Sequence, residues 1–337
     1  MSGPARDVID PMATTAAGLL ARRARWRPLE LAFWACAAAS IVLLPGKHLI
    51  LTEIAILALF ALSLDLVLGY AGIVSLGHAA FFGFGAYAAG LLARHGLVGE
   101  PVLALLASGL LAAALGFATS FLVLRGSDLT RLMVTLGVAM MLRELANRLD
   151  WLTGGADGLQ GVSIAPLLGR FTFDLAGHTA YAYALAVLFV CFLVARRIAH
   201  SPFGLSLLAI KANPLRASAI GIPVASRLVA VYTIAAGFAG VAGALLTQTT
   251  AFCSLDVLSF DRSADLLLVL IIGGTGYLYG GLIGAVAFKL MQDWLAALTP
   301  QYWQFWIGLL LVVIVLVGRD RLARAARALN PLRSNQR

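Results

Sequence analysis

Charge is scarce in this chain: 12% of its residues are Asp, Glu, Lys or Arg, against 61% hydrophobic. Soluble domains carry roughly 25% charged residues, so the deficit excludes an ordinary soluble globular protein. Cysteine is scarcer still. Cys36, Cys191 and Cys253 are odd in number and far apart, which excludes a disulfide framework and offers no metal-ligand spacing. They read as small packing residues. Chemical signatures are missing too. There is no Gly-x4-Gly-Lys-Ser/Thr phosphate loop, no His-Glu-x2-His metal site and no Gly-x-Ser-x-Gly nucleophile elbow, so no catalytic residue and no metal ligand is assigned. An ATP-driven process in which this chain took part would draw its energy from another polypeptide.

What is present is a series of long apolar runs. They predict an all-α polytopic membrane protein with about ten spans, near 29–44, 50–68, 79–92, 102–124, 132–149, 179–195, 228–248, 264–277, 282–298 and 303–317, each run approaching the 20 or so residues that cross a bilayer. The stretch before Ala35-Cys36-Ala37 is too short for the apolar region of a signal peptide, so an uncleaved first span is expected. The organisation expected is a cytoplasmic segment 1–28, a membrane domain 29–318 and a basic tail 319–337.

The 25 basic residues outnumber the 16 acidic ones, but they collect at chain ends and short loops, as topology requires and nucleic-acid binding does not. With the N-terminus inside, the cytoplasmic segments hold Arg22, Arg23, Arg25 and Arg27, then Arg125 and Arg131, then Arg196, Arg197, Lys211, Arg216 and Arg227, then Arg319, Arg321, Arg324, Arg327 and Arg333. The opposite side keeps Lys47, Arg94, Arg170 and Arg262, with Arg148 at a span end. This positive-inside bias puts both termini in the cytoplasm, and Trp151, Trp303 and Trp306 fall where interfacial anchors belong.

Two glycine-rich stretches interrupt the apolar runs. Residues 69–87 are too rich in glycine for an ordinary helix and too apolar for an exposed loop, since each glycine costs about 1 kcal/mol against alanine in a helix interior. They read as a helix broken at membrane depth, which lipid tolerates only where protein or a water-lined path satisfies the freed amides. Within the break Ser75 and His78 either line a path or satisfy those amides. Gly273, Gly274, Gly276, Gly280 and Gly281 form a second break; two interrupted segments suggest a site between them, and close helix packing accounts for the glycines equally well.

Two polar connections stand out. Residues 150–178 form an external loop in which Thr153-Gly154-Gly155 with Asp157 and Gly158 suits a backbone concavity or a plain structural turn. Residues 198–227 form a basic internal loop. There Ser201 is placed to cap a helix with Pro202 at its first position, and a short amphipathic helix over 206–221 is expected, punctuated by Pro214 and Pro223, with Leu207, Leu208, Ile210 and Leu215 as its apolar face. Such a face suits either a groove on a partner or lipid headgroups. Asp65, Arg143, Glu144, Asp265 and Lys289 are ionisable residues inside spans. Arg143 and Glu144 are neighbours and point in different directions, so the expectation is pairing across helices, with an ion route as the alternative.

Four motifs, in order, carry a resemblance. GYAGIVSLGHAAFFG at 69–83, LTGGADGL at 152–159, AIKANP at 209–214 with ASAIGI at 217–222, and IGGTGYLYG at 272–280 resemble the signatures of the inner-membrane permease subunits of branched-chain amino acid ABC importers, the LivM type. The resemblance covers about 50–316. It implies transport of branched-chain or other hydrophobic amino acids by alternating access. It further implies a second permease of the LivH type, two cytoplasmic ATPases that bind ATP and Mg, a periplasmic binding protein, and residence in the bacterial inner membrane. Similar permeases carry urea, amides or aromatic acids. From the two breaks, Gly72, Ser75, Gly77, His78, Gly273, Gly274 and Gly276 are candidates for the substrate pathway. Ser206, Leu207, Ile210, Lys211, Arg216, Ala217, Ala219 and Gly221 are candidates for ATPase coupling. Lys211, Asn213 and Pro214 stand where the family often has acidic residues. From a different class, an ion-coupled transporter acting alone would use Asp65, Asp265 or Lys289.

Overall fold

A computed structural model describes residues 28–312 apart from 127, 168, 175, 303, 310 and 311. The basic N-terminal cluster, the basic tail and most of the span expected at 303–317 lie outside the described residues. Two compact units divide the chain, 1–285 and 286–337. The helices are α1 (Pro28–Leu43), α2 (His48–Asp65, continued by a π-helical turn Leu66–Tyr70), α3 (Ala79–Arg94), α4 (Pro101–Val123), α5 (Asp128–Arg148), α6 (His178–Ala199), α7 (Pro202–Ala212), α8 (Pro214–Ala219), α9 (Val224–Thr250), α10 (Phe260–Gly273) and α11 (Leu278–Leu298).

Among the described residues, five segments are long and apolar enough to cross a membrane: His48–Tyr70, Pro101–Val123, His178–Ala199, Val224–Thr250 and Leu278–Leu298. The all-α polytopic expectation holds for this chain. The other expected spans fare differently. α1 and α3 have 16 residues each, and at 1.5 Å per residue they reach about 24 Å, short of a bilayer core of about 30 Å. α10 has 14 residues and stops at Gly273 rather than running to 277, because Gly274 takes φ +101° and Gly276 φ +81°, values open to glycine and strained for other residues.

α9 is the centre of the first unit. It packs against α3, α4 and α2, and Leu245, Ala235, Ala236 and Ala239 along it are fully buried. Its approach to α3 and α4 depends on small residues. A Cβ added to Gly85 would overlap the backbone of Gly240, one at Gly243 would overlap the Phe82 carbonyl, and one at Gly240 would overlap Ala112. Without a hydrophobic drive between helices in lipid, such close backbone packing is the main source of association. α2 is buried nearly throughout. α4 and α5, by contrast, expose Leu110, Phe117, Leu122, Met133 and Met141, a surface that water would not tolerate over this area and lipid does.

The long connection 150–178 begins as a helix end. Thr153 donates to the Leu149 carbonyl at 2.8 Å, and the Gly154 amide to Asp150 O at 2.8 Å, with Gly154 at φ +81° closing the turn. This is the structural-turn alternative. Leu159 then pairs antiparallel with Cys253, its amide 2.7 Å from the Cys253 carbonyl. Before α6, Asp174 accepts from the amides of Thr179 at 3.0 Å and His178 at 3.3 Å. The Thr179 hydrogen bond is the main reason its carboxyl titrates below the usual carboxylate range. In the second unit Lys289 pairs with Asp293 at 3.5 Å and Gln292 at 3.2 Å on its own helix.

Candidate functional site

The internal loop folds as two helices rather than one. Ser201 caps α7 by accepting from the Gly204 amide, with Pro202 in the first turn as expected. The chain then breaks at Asn213, extended at φ −163°, whose side chain accepts from Arg216 N and starts α8 at Pro214. Pro214 cannot continue α7, since it lacks an amide proton and clashes with the preceding turn. Pro223 lies immediately before α9.

Of the expected coupling residues, Ser206, Leu207, Ile210 and Ala217 are buried. Lys211, Arg216, Ala219 and Gly221 are on the exposed side. The exposed apolar side chains are Leu205, Leu208, Leu215 and Ile220. The outward face therefore differs from the one expected: Leu207 and Ile210 hold the helix to the body, and Leu215 and Ile220, which are 83% and 75% accessible, are left for contact.

The first break starts in the π-helical turn at Leu66–Tyr70, which contains Gly69 and sets the ladder out of register. Π turns of this kind are frequent at functional sites. Gly72 follows at φ +76°, and the chain has no regular structure until Ala79. The freed amides find partners on distant helices. Leu76 N donates to Thr135 Oγ1 at 3.3 Å, and Ala79 N to Ser263 Oγ at 3.0 Å. Ser75 and His78 are fully buried, and neither is the acceptor for those amides: His78 Nε2 lies 2.9 Å from Ser63 Oγ, and Ser75 Oγ has no hydrogen-bond partner. Thr135 and Ser263 escaped the sequence reading because a hydroxyl in an apolar helix carries no mark of its partner, here 59 and 184 positions away.

The second break meets the first. Asp65, wholly buried on α2, accepts from the Gly276 amide at 2.7 Å. That is the partner across helices expected for an ionisable residue at membrane depth. Gly273 and Gly280 lie so close that a Cβ on either would overlap the other's carbonyl or its neighbour's, which explains these glycines by packing. Gly274 continues the α10 end by donating to Leu270 O at 2.8 Å. Gly77 is pressed against the Thr135 carbonyl.

The internal loop also reaches this point. Lys211 Nζ donates to the Gly69 carbonyl at 2.6 Å. Motifs 69–83, 209–222 and 272–280 thus converge on one place, and motif 152–159 does not join them. A cavity of about 390 Å³ borders the junction, lined among others by Glu30, Tyr70, Arg196, His200, Leu208 and Gly276. Arg196 and Glu30 form an ion pair on its wall. A second cavity of about 430 Å³, almost wholly apolar, lies between α3 and α5 among Phe84, Tyr87, Leu91, Leu142 and Leu145. The buried Tyr87 hydroxyl there has no hydrogen-bond partner. Arg148 bonds Glu144 one turn earlier at 2.7 Å, so Glu144 pairs within its helix and not with Arg143.

Comparison with known proteins agrees with this architecture. The family described as "Branched-chain amino acid transport system / permease component" matches residues 48–315. The high-affinity branched-chain amino acid transport system permease protein LivM of Salmonella typhimurium is 28% identical over 316 residues, 86% of this chain and 73% of that protein. The LivM permease of Escherichia coli is 26% identical over 283 residues, 77% of this chain and 65% of that protein. The chain therefore spans about two thirds to three quarters of these relatives. No solved structure matches it. With well over half its length matched and a polytopic helical fold to go with it, the chain belongs to the family of branched-chain amino acid transport permeases.

Proposed function

We propose that this chain is the membrane-spanning permease subunit of an ATP-driven ABC importer for branched-chain or other hydrophobic amino acids. A second, related permease completes the path, a periplasmic binding protein delivers the solute, and two cytoplasmic ATPases supply the energy, binding ATP and its magnesium outside this chain. The positive-inside pattern supports residence in the inner membrane with both termini in the cytoplasm.

The observation that carries the reading is the bond from Lys211 on α7 to the Gly69 carbonyl inside the first break. A pair of short helices that presents Leu215 and Ile220 outward from α8 and its C-terminal end and grips a broken span inward through Lys211 on α7 has the two attachments that a coupling element needs. ATPase closure would push α7 and α8, and the broken spans would rock to open the path on one side and then the other. The pathway role of Gly72, Ser75, Gly77, His78, Gly273, Gly274 and Gly276 in this reading is to permit that motion rather than to bind solute, since the polar members are enclosed in protein.

The test is co-purification with a candidate ATPase, followed by solute-stimulated ATP hydrolysis and uptake in liposomes containing a candidate binding protein. Uptake that depends on ATP supports the proposal. Wild-type uptake after deletion of 206–221 overturns the coupling role, and uptake by this chain alone that is abolished by an uncoupler and indifferent to ATP overturns the importer. The ligand of the adjacent binding protein, measured by calorimetry, separates a hydrophobic amino acid from urea, an amide or an aromatic acid.

A further inference from the structure

Gly69 is the meeting point of three elements. Its carbonyl accepts from Lys211 Nζ at 2.6 Å. Asp65, one turn earlier, accepts from the Gly276 amide at 2.7 Å. The Gly69 Cα packs directly between them: a Cβ there would overlap both the Asp65 carboxylate and the Gly276 nitrogen, and one on Gly276 would come 3.3 Å from the Gly69 carbonyl. The stem of Lys211 crosses Gly72, where a Cβ would stand 2.9 Å from its Cγ. Lys211 thus runs from the exposed side of α7 across the first break to its far carbonyl.

The Lys211 hydrogen bond has a charged donor, the shorter and stronger kind, and Asp65 is an ionisable group of the kind that is costly at membrane depth. Asp65 Oδ2 has no hydrogen-bond partner, although it is buried. An apolar pair would hold static helices together at less cost. What these hydrogen bonds add is a directional link to two backbone groups, one in the π-helical turn and one past the end of α10.

From this geometry we infer that Lys211 and Asp65 are positioning residues forming a two-step strut, α7 to Gly69 and Gly69 through Asp65 to Gly276, by which one displacement of α7 moves both breaks. Lys211 belongs to the inner side of the coupling element and is not an ATPase contact. The part of this that concerns ATP rests on the importer reading above; the mechanical link between the breaks does not.

Two measurements decide it. The first uses the chain alone in lipid nanodiscs, with hydrogen exchange followed at 69–77 and 273–277 for wild type, Lys211→Met, Lys211→Arg and Asp65→Asn. Opening of the breaks in K211M is expected to raise exchange about tenfold in both segments, although Lys211 bonds only the first, with K211R within about threefold of wild type; D65N is expected to raise 273–277 most. Unchanged exchange at 273–277 in K211M overturns the strut. Exchange across α4 serves as the folding control, and Lys211→Gln replaces K211M if that control rises. The second measurement uses the assembled transporter. K211M is expected to retain its ATPases and to hydrolyse ATP within about twofold of wild type, while uptake per ATP falls about tenfold, a coupling loss of roughly 1.4 kcal/mol. Loss of the ATPases in K211M overturns the assignment by making Lys211 a docking contact. If the wild type shows no ATP-driven uptake, the importer reading fails and the exchange experiment still judges the link.

Discussion

The imidazole of His78 and the hydroxyl of Ser63 meet at 2.9 Å across the first break, joining the start of α3 to the body of α2. Ser63 has one proton, and the Phe60 carbonyl at 2.6 Å accepts it. The His78 contact must therefore be a donation from Nε2–H to the hydroxyl oxygen, which makes Nδ1 the unprotonated nitrogen of a neutral ring. Nδ1 is buried without a partner, consistent with an atom that carries no proton. Phe60 stacks on the ring at 5.7 Å. We expect nitrogen-15 spectra to report the Nε2–H tautomer. Ser63→Ala, by leaving a buried donor unmatched, should cost about 1–3 kcal/mol, read as a lower melting temperature in detergent. An unchanged melting temperature would contradict the assignment.

Ser263 and Thr135 hold the amides that the break frees. Ser263→Ala should strand the Ala79 amide, 3.0 Å from that hydroxyl, and Thr135→Val the Leu76 amide, each at about 1–3 kcal/mol. Exchange at those two amides should rise in the matching variant and not in the other. Equal effects of both variants on both amides would mean that the break responds as a single unit.

The glycines of the packed helices separate into two kinds. Gly85→Ala drives a Cβ into the Gly240 backbone and should destabilise by about 1–3 kcal/mol through overpacking. Gly137→Ala on α5 has open space around it and should leave stability unchanged or raise it by up to about 1 kcal/mol. Paired thermal melts of the two variants test the contrast, and a similar loss in both would refute it.

The start of α6 should loosen in acid. Asp174 is held below its ordinary range, first by the Thr179 amide and also by that of His178. For a carboxylate with a depressed folded value, its contribution is complete above the unfolded value near 3.9 and is lost as pH falls through the folded one. The group is exposed, so the effect is local. Exchange at Thr179, corrected for intrinsic pH dependence, should accelerate below about pH 4, and Asp174→Asn should remove that step.

Docking of the ATPases, on the proposed reading, falls to the outward side of α7 and α8. Leu215→Glu with Ile220→Glu changes two highly accessible side chains. The double variant should leave melting within about 0.5 kcal/mol of wild type and weaken ATPase association about tenfold or more in titrations, the scale of a lost apolar anchor. Retained association would move the docking face elsewhere.

Much of the architecture is local and was readable as such. Long apolar runs with few charges can only be buried in lipid or in one another, so the polytopic class follows from composition. Ser201 before Pro202 and Asn213 before Pro214 carry their caps within three residues, and the glycine clusters mark where a helical ladder fails. The division of the internal loop into α7 and α8 was signalled by Pro214, but which of its apolar residues faced inward was not. Leu207 and Leu208 are equivalent by composition, and only the first is buried.

The amino-acid sequence by itself determined that this chain is a polytopic membrane protein with two interrupted apolar segments and a basic loop at 198–227, because hydropathy, caps and glycine conformations act over a few residues. Tertiary structure alone decided which groups meet at those interruptions. Gly69 and Lys211 are 142 positions apart, and Asp65 and Gly276 are 211 apart; nothing local selects such partners. They are chosen when packed helices bring the Gly69 carbonyl, the Asp65 carboxyl, the Gly276 amide and the Lys211 amine to the same point.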